Sequence, residues 1–150
     1  MDFMLKPYTR FYKCSYFVIQ ELVDQETYKA LGDNAWSLFD DKLLSTIDRL
    51  RDRYKVPITI NNWHRKAVNT FKDRGFRHPN NKTGAPLSAH KRGQALDFDV
   101  FGMDAEKVRK DILDHQEHLD CMFVTRMEKD VSWVHIETSN QPNRIILFSP

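Results

Sequence analysis

The sequence is poor in cysteine, in net charge and in long apolar runs, and each shortage excludes something. Cys14 and Cys121 are its only cysteines. Far apart and without a second pair, they make neither a disulfide framework nor a zinc knuckle, and both read as buried or half-buried thiols. Basic and acidic residues nearly cancel, leaving a formal net charge of +2 with the charges interspersed, a balance that demands neither a nucleic-acid nor a membrane partner. No stretch approaches the roughly eighteen apolar residues of a membrane span. The N-terminus, Met1 to Pro7, lacks a basic segment followed by an apolar run, so no signal peptide is expected and synthesis is expected to be cytoplasmic. No internal repeat or low-complexity segment stands out.

What is present is enough for one core. With 150 residues, 41% of them hydrophobic, the expectation is a single domain over residues 1–150, with an aromatic-rich arm or strand over about residues 1–20. Asp24 is placed to cap a short helix ending near Leu31, with Gly32 just beyond it. Leu38, Phe39, Leu43, Leu44, Ile47, Leu50 and Tyr54 recur at helical steps, which predicts a helix from Ser37 to about Tyr54. Pro57 stops it, and Ile58-Thr59-Ile60 reads as a short strand. Asn61 to Arg65 follow at a strand end, where either a binding site or a plain turn fits.

Downstream, Ala95 to Phe101 alternates as a strand does. A second long helix, capped by Asp104 and running to about Leu119, buries Val108, Ile112, Leu113 and Leu119 and leaves His115 and His118 at the surface. Phe123 to Met127 reads as a strand that Lys129-Asp130 turns into a second, Val131 to Thr138. Arg144 to Phe148 forms a last strand or a packed tail. The pattern predicts an α+β fold, a small antiparallel sheet with helices packed on one face.

Chemistry concentrates between Leu87 and Asp99. His90 and Asp97 are ligand types that together suit Zn²⁺, and Gly93 between them permits a tight turn from a loop to a strand. The best third ligand is His135, in the run Ser132-Trp133-Val134-His135-Ile136-Glu137. Asp97 and Asp99 fall on one face of their strand, an arrangement that repels unless a cation sits nearby. In the Gly-, Pro- and Asn-rich loop ahead of it, Arg77 can supply a cation for a substrate carboxylate or an oxyanion, or be merely solvated.

Ser88-Ala89-His90-Lys91-Arg92-Gly93-Gln94-Ala95-Leu96-Asp97 resembles, position for position, the S-x-H-x-x-G-x-A-x-D signature of the M15 zinc peptidases. That group comprises D-Ala-D-Ala carboxypeptidases and L-alanyl-D-glutamate endopeptidases, many phage endolysins among them, and the hedgehog signalling domain shares the signature and the fold. Arg74-Gly75-Phe76-Arg77-His78-Pro79 is similar to the family's S-G-Y-R-x-P segment, with Arg74 in place of the serine.

The resemblance covers roughly Ile58 to Glu137 and implies a hedgehog/DD-peptidase-like fold. It also implies one Zn²⁺ held by His90, Asp97 and His135, with Ser88 steadying the ligands and Arg77 on the substrate. Peptidoglycan stem peptides would be the substrate, reached after release from the cytoplasm. Where many members carry Glu or Asp three residues before the last histidine, this chain has Ser132, whose hydroxyl cannot serve as a base at neutral pH. Glu128 and Asp130 are the carboxylates able to replace it, and Glu128, at a strand end, is the better placed.

Overall fold

The alternation of Leu96, Phe98 and Val100 with Asp97 and Asp99 builds β2 (Ala95–Val100), the strand on which the sheet is centred. The structure, a computed structural model, describes residues 12–140 and 144–150. Around β2 lie β1 (Ile58–Thr59), β3 (Arg126–Glu128), β4 (Val134–Glu137) and β5 (Ile146–Phe148), in the order β1-β2-β4-β3-β5. The first four pair antiparallel, whereas β5 runs parallel to β3. The sheet is therefore mixed, a departure from the all-antiparallel expectation. It arises because β4 and β5 run in opposite directions, as in a hairpin, but β3 is interposed between them.

Helices α1 (Gln25–Leu31), α2 (Asp41–Tyr54) and α3 (Ala105–Asp114) begin at aspartate caps whose carboxylates accept from backbone amides two or three residues on. Leu43, Ile47 and Leu50 of α2 and Val108 and Ile112 of α3 are buried in one cluster with Leu96, Phe98, Met127 and Ile136 of the sheet. Each such side chain, removed wholly from water, contributes about 1.5–3 kcal/mol. The opposite face of the sheet is left for polar side chains.

The long helix starts four residues later than its periodicity suggests. Gly32–Leu38 is a 3₁₀ segment and Phe39 is extended, yet Phe39 is still buried in the core, so the apolar spacing continues through a change of backbone. Asp40 cannot join the helix because it is held elsewhere. Its amide donates to the Gly93 carbonyl (3.0 Å) and its Oδ2 accepts from Thr138 Oγ1 (3.0 Å).

Helix α3 ends at Asp114 rather than near Leu119, and Leu119 is 64% exposed, outside the buried stripe. The ring of His115 turns back to the Asp111 carbonyl at 2.7 Å and occupies an acceptor of the last turn. His115 and His118 are exposed, as expected. Strand β4 begins at Val134, not Val131, because Arg109 takes the carbonyls of Val131 (3.1 Å) and Trp133 (2.9 Å) out of the ladder.

The N-terminal expectation lies partly outside the described residues. From Tyr12 to Val18 there is no strand. Instead the buried carboxylate of Asp48 on α2 accepts from Tyr12 Oη, the Ser15 amide and the Tyr16 amide. Among the described residues, no helix is long and apolar enough to cross a membrane.

Candidate metal centre

Asp97 on β2 and His135 on β4 are direct cross-strand partners. The period of two that sends Leu96 and Phe98 into the core sends Asp97 to the other face, and the register brings His135 beside it. Asp97 Oδ1 lies 2.6 Å from His135 Nδ1. Both side chains are buried.

His90 reaches this pair from a 3₁₀ turn, Ala89–Arg92, that Ser88 caps by accepting from the His90 amide at 3.3 Å. Gly93 closes the turn at φ +68°, and a Cβ there would stand 2.0 Å from the Leu38 carbonyl oxygen. No other residue fits so close an approach in a left-handed conformation. The turn aims the imidazole inward, so that the donor atoms of His90, Asp97 and His135 all lie within 4.8 Å of one another.

These residues suit a divalent metal ion. His90 Nδ1 is 2.9 Å from the Gly75 carbonyl, which only accepts, so Nδ1 carries the proton. Nε2 is then the nitrogen that faces Asp97 Oδ2, at 3.3 Å, and with Nδ1 committed it is the ring atom free to ligate a cation beside that carboxylate.

Electrostatics favour positive charge at the same place. Burial alone would raise the Asp97 carboxyl, but the bonds from His135 and His90 hold it well below the usual carboxylate range. Burial alone would lower His135, yet its bonds to Asp97 and Glu137 push it up to about 9.

A family model described as peptidase M15 matches residues 15–137. The chain belongs to the M15 peptidase family. Comparison with curated proteins and with solved structures returns no match.

In this M15 peptidase the three candidate ligands open onto a cleft of about 590 Å³ that Arg77, Ser88, Arg126, Glu128 and Phe148 also line. Arg77 arrives on a segment pinned to the 3₁₀ turn Ile19–Glu21 and its successor Leu22. The Phe76 amide donates to the Leu22 carbonyl at 2.7 Å, and a Cβ at Gly75 would meet that same oxygen at 2.0 Å. The guanidinium is buried; its Nε donates to the Asp73 carbonyl (2.7 Å), and its Nη2 lies 3.6 Å from Asp97 Oδ2.

Glu128 stands on the cleft side of β3. Arg126 pairs with Glu137 and Met127 with Ile136, so the register carried one residue further sets Glu128 opposite His135. Asp97, His135 and Glu128 thus form one row across three strands. Asp130 does not join them, because it sits in the β3–β4 turn at φ +61° and is exposed. Ser132 is exposed in the same turn.

The other polar positions serve structure. Asn61 Nδ2 and Trp63 Nε1 both donate to the Val23 carbonyl (3.0 and 2.8 Å), which makes Asn61 to Arg65 a pinned turn. Asp99, on the same face as Asp97, is neutralised by Arg74 Nη1 at 2.8 Å rather than sharing the metal cluster. Glu137 and Arg126, which were not among the residues expected from the sequence, also line this cleft. Glu137 Oε1 is 3.1 Å from His135 Nε2, and the signal for it was its place two residues after His135 on one strand face.

Proposed function

We propose that this M15 peptidase is a zinc-dependent hydrolase of peptidoglycan stem peptides, of the kind phages use to open a cell wall. The observation that carries the reading is the buried His90–Asp97–His135 cluster at the floor of a cleft, in a chain of this family. Zinc held by those three residues supplies a Lewis acid for the scissile carbonyl and activates water for attack.

The protein's own groups supply the rest. Glu128, in the row with His135, is the general base, and an acceptor there stands in for the acid that Ser132 replaces. Arg77 presents a positive charge beside Asp97, positioned for a substrate carboxylate or the oxyanion of the transition state. Ser88 fixes the turn that aims His90. An extended peptide fits the open, mixed-charge cleft between the Gly84 to Leu87 loop and β5.

Zinc-loaded protein incubated with purified peptidoglycan releases new amino termini, and His90→Ala does not. A wild type no more active than His90→Ala overturns the reading. Ser132 favours one rival, a zinc-bearing module of the same fold that binds wall peptides without cutting them. That rival predicts stoichiometric zinc, no turnover, and no effect of Glu128→Gln.

A further inference from the structure

The two histidines of the candidate centre turn different nitrogens toward Asp97. His90 uses Nε2, because Nδ1 is committed to the Gly75 carbonyl. His135 uses Nδ1, and its Nε2 points away from the cluster toward Glu137 Oε1 at 3.1 Å. A carboxylate only accepts, so Glu137 requires a proton of His135 to reside on Nε2. Asp97 Oδ1 accepts from Nδ1 in the same way, so both ring nitrogens are protonated together, and a cation that displaced one proton would take the Nδ1 lone pair, since Glu137 keeps the proton on Nε2.

Glu137 is itself held from several sides. It is buried, its Oε2 accepts from Ser139 Oγ at 3.1 Å, and Arg126 Nη1 lies 3.6 Å from the same oxygen. Arg126 in turn rests its guanidinium over the Phe148 ring at 4.5 Å, and that ring meets the His135 imidazole edge-on at 5.5 Å. The imidazole is thereby enclosed by Asp97, Glu137 and Phe148. Taking a carboxylate out of water is costly, and these bonds offset that cost while fixing where its two oxygens point.

We propose that Glu137 is a positioning residue, which locks His135 in the orientation and tautomer that present Nδ1 to the metal, with Arg126 and Ser139 fixing Glu137. The assignment rests on the reading that His90, Asp97 and His135 hold zinc. Carboxylates that orient a ligating histidine through its distal nitrogen act on metal affinity, so the effect reaches beyond turnover.

The test uses the full chain, with zinc affinity measured by competition against a chromophoric chelator and the ligand field read from the visible bands of the cobalt-substituted protein. Wild type binds one zinc. Glu137→Ala weakens zinc by about 10- to 100-fold, the usual cost of losing such a partner, and alters the cobalt bands. Glu137→Gln keeps the size and an acceptor oxygen and falls between the two. Nitrogen-15 shifts of the His135 ring in zinc-loaded wild type show a protonated Nε2, and in Glu137→Gln that signal moves or broadens.

Glu137→Ala with wild-type zinc affinity and unchanged cobalt bands overturns the proposal while leaving the zinc reading intact. A wild type that binds no zinc overturns both, and it is seen before any variant is made. Should Glu137→Ala fail to fold, the isosteric Glu137→Gln decides: unchanged affinity together with an unchanged His135 nitrogen signal is the overturning result.

Discussion

Asp97 and His135 stand directly opposite each other on β2 and β4, with carboxylate Oδ1 2.6 Å from imidazole Nδ1. The pair is what a strand pattern and a register produce when one face of a sheet is given to the core. The other face then collects whatever polar residues share the parity. In this chain those are Asp97, His135, Glu137, Arg126 and Glu128, so the candidate site is a consequence of the same alternation that packs Leu96, Phe98 and Ile136 against the helices.

Asp97 binds the centre together in the metal-free protein as well. Its carboxylate is within 2.6 Å of His135, 3.3 Å of His90 and 3.6 Å of Arg77. Asp97→Ala leaves these groups buried without their counter-charge, and breaking a buried pair from one side costs about 3–5 kcal/mol. Urea unfolding in the presence of a chelator at neutral pH should show a loss of that size. Zinc content after dialysis against equimolar metal should fall near zero, and a stoichiometric value would show that Asp97 is not a ligand.

Gly93 and Gly102 separate two kinds of glycine requirement. Both adopt positive φ, +68° and +75°, but an added Cβ at Gly102 meets nothing within 4 Å, whereas at Gly93 it collides with the Leu38 carbonyl. Left-handed backbone alone costs a side-chain-bearing residue about 1–2 kcal/mol. Gly102→Ala should lose about that much, and Gly93→Ala distinctly more. Because Gly93 closes the turn that aims His90, Gly93→Ala should also weaken zinc, while Gly102→Ala should not. Equal losses in thermal unfolding, with equal zinc affinity, would remove the close approach as the reason for Gly93.

Much of the centre was legible in the sequence because its parts are local. Ser88, His90, Gly93 and Asp97 lie within a single cap, turn and strand, and the strand's alternation states which face Asp97 takes. His135 was legible as the histidine of a second strand-like run, although the register that sets it opposite Asp97 was not. What was not legible depends on distant partners. Asp40 stays outside α2, capping it, while Gly93 and Thr138 hold it, and Leu38 and Phe39 keep helical spacing across that break. Val131 leaves the ladder because Arg109 claims its carbonyl. The parallel partnership of β5 with β3 is decided by which strand edge remains open, which no local pattern encodes.

Glu128 and Asp130 make opposite predictions, although both are carboxylates within the seven residues preceding His135. Glu128 lines the cleft at the position opposite His135, and Asp130 is in the exposed turn. Removing a general base lowers turnover by about 10²- to 10⁴-fold without removing the metal. Glu128→Gln should therefore keep stoichiometric zinc and lose stem-peptide cleavage to that extent, with Asp130→Asn near wild type in both. Full activity in Glu128→Gln would assign the base elsewhere.

The Arg77 segment has its own acid-sensitive fastening. Asp24 Oδ1 accepts from the Thr27 amide at 3.0 Å, capping α1, and Oδ2 accepts from the His78 amide at 2.8 Å and from Asn81 Nδ2 at 3.2 Å. Burial alone would raise this carboxyl, but those bonds outweigh it and hold the group below its ordinary value of 3.8. A carboxyl lowered on folding adds stability that is present above the unfolded value and is lost as pH falls through the folded one. Chelator-treated wild type should accordingly lose stability as pH drops below about 4, and Asp24→Asn, already deprived of the charge, should lose less over the same interval. Asp24→Asn should be the less stable of the two at pH 7, with the Arg77 segment the part whose amide exchange accelerates. Parallel acid-side slopes for the two proteins would mean that Asp24 does not fasten the segment through its ionised form.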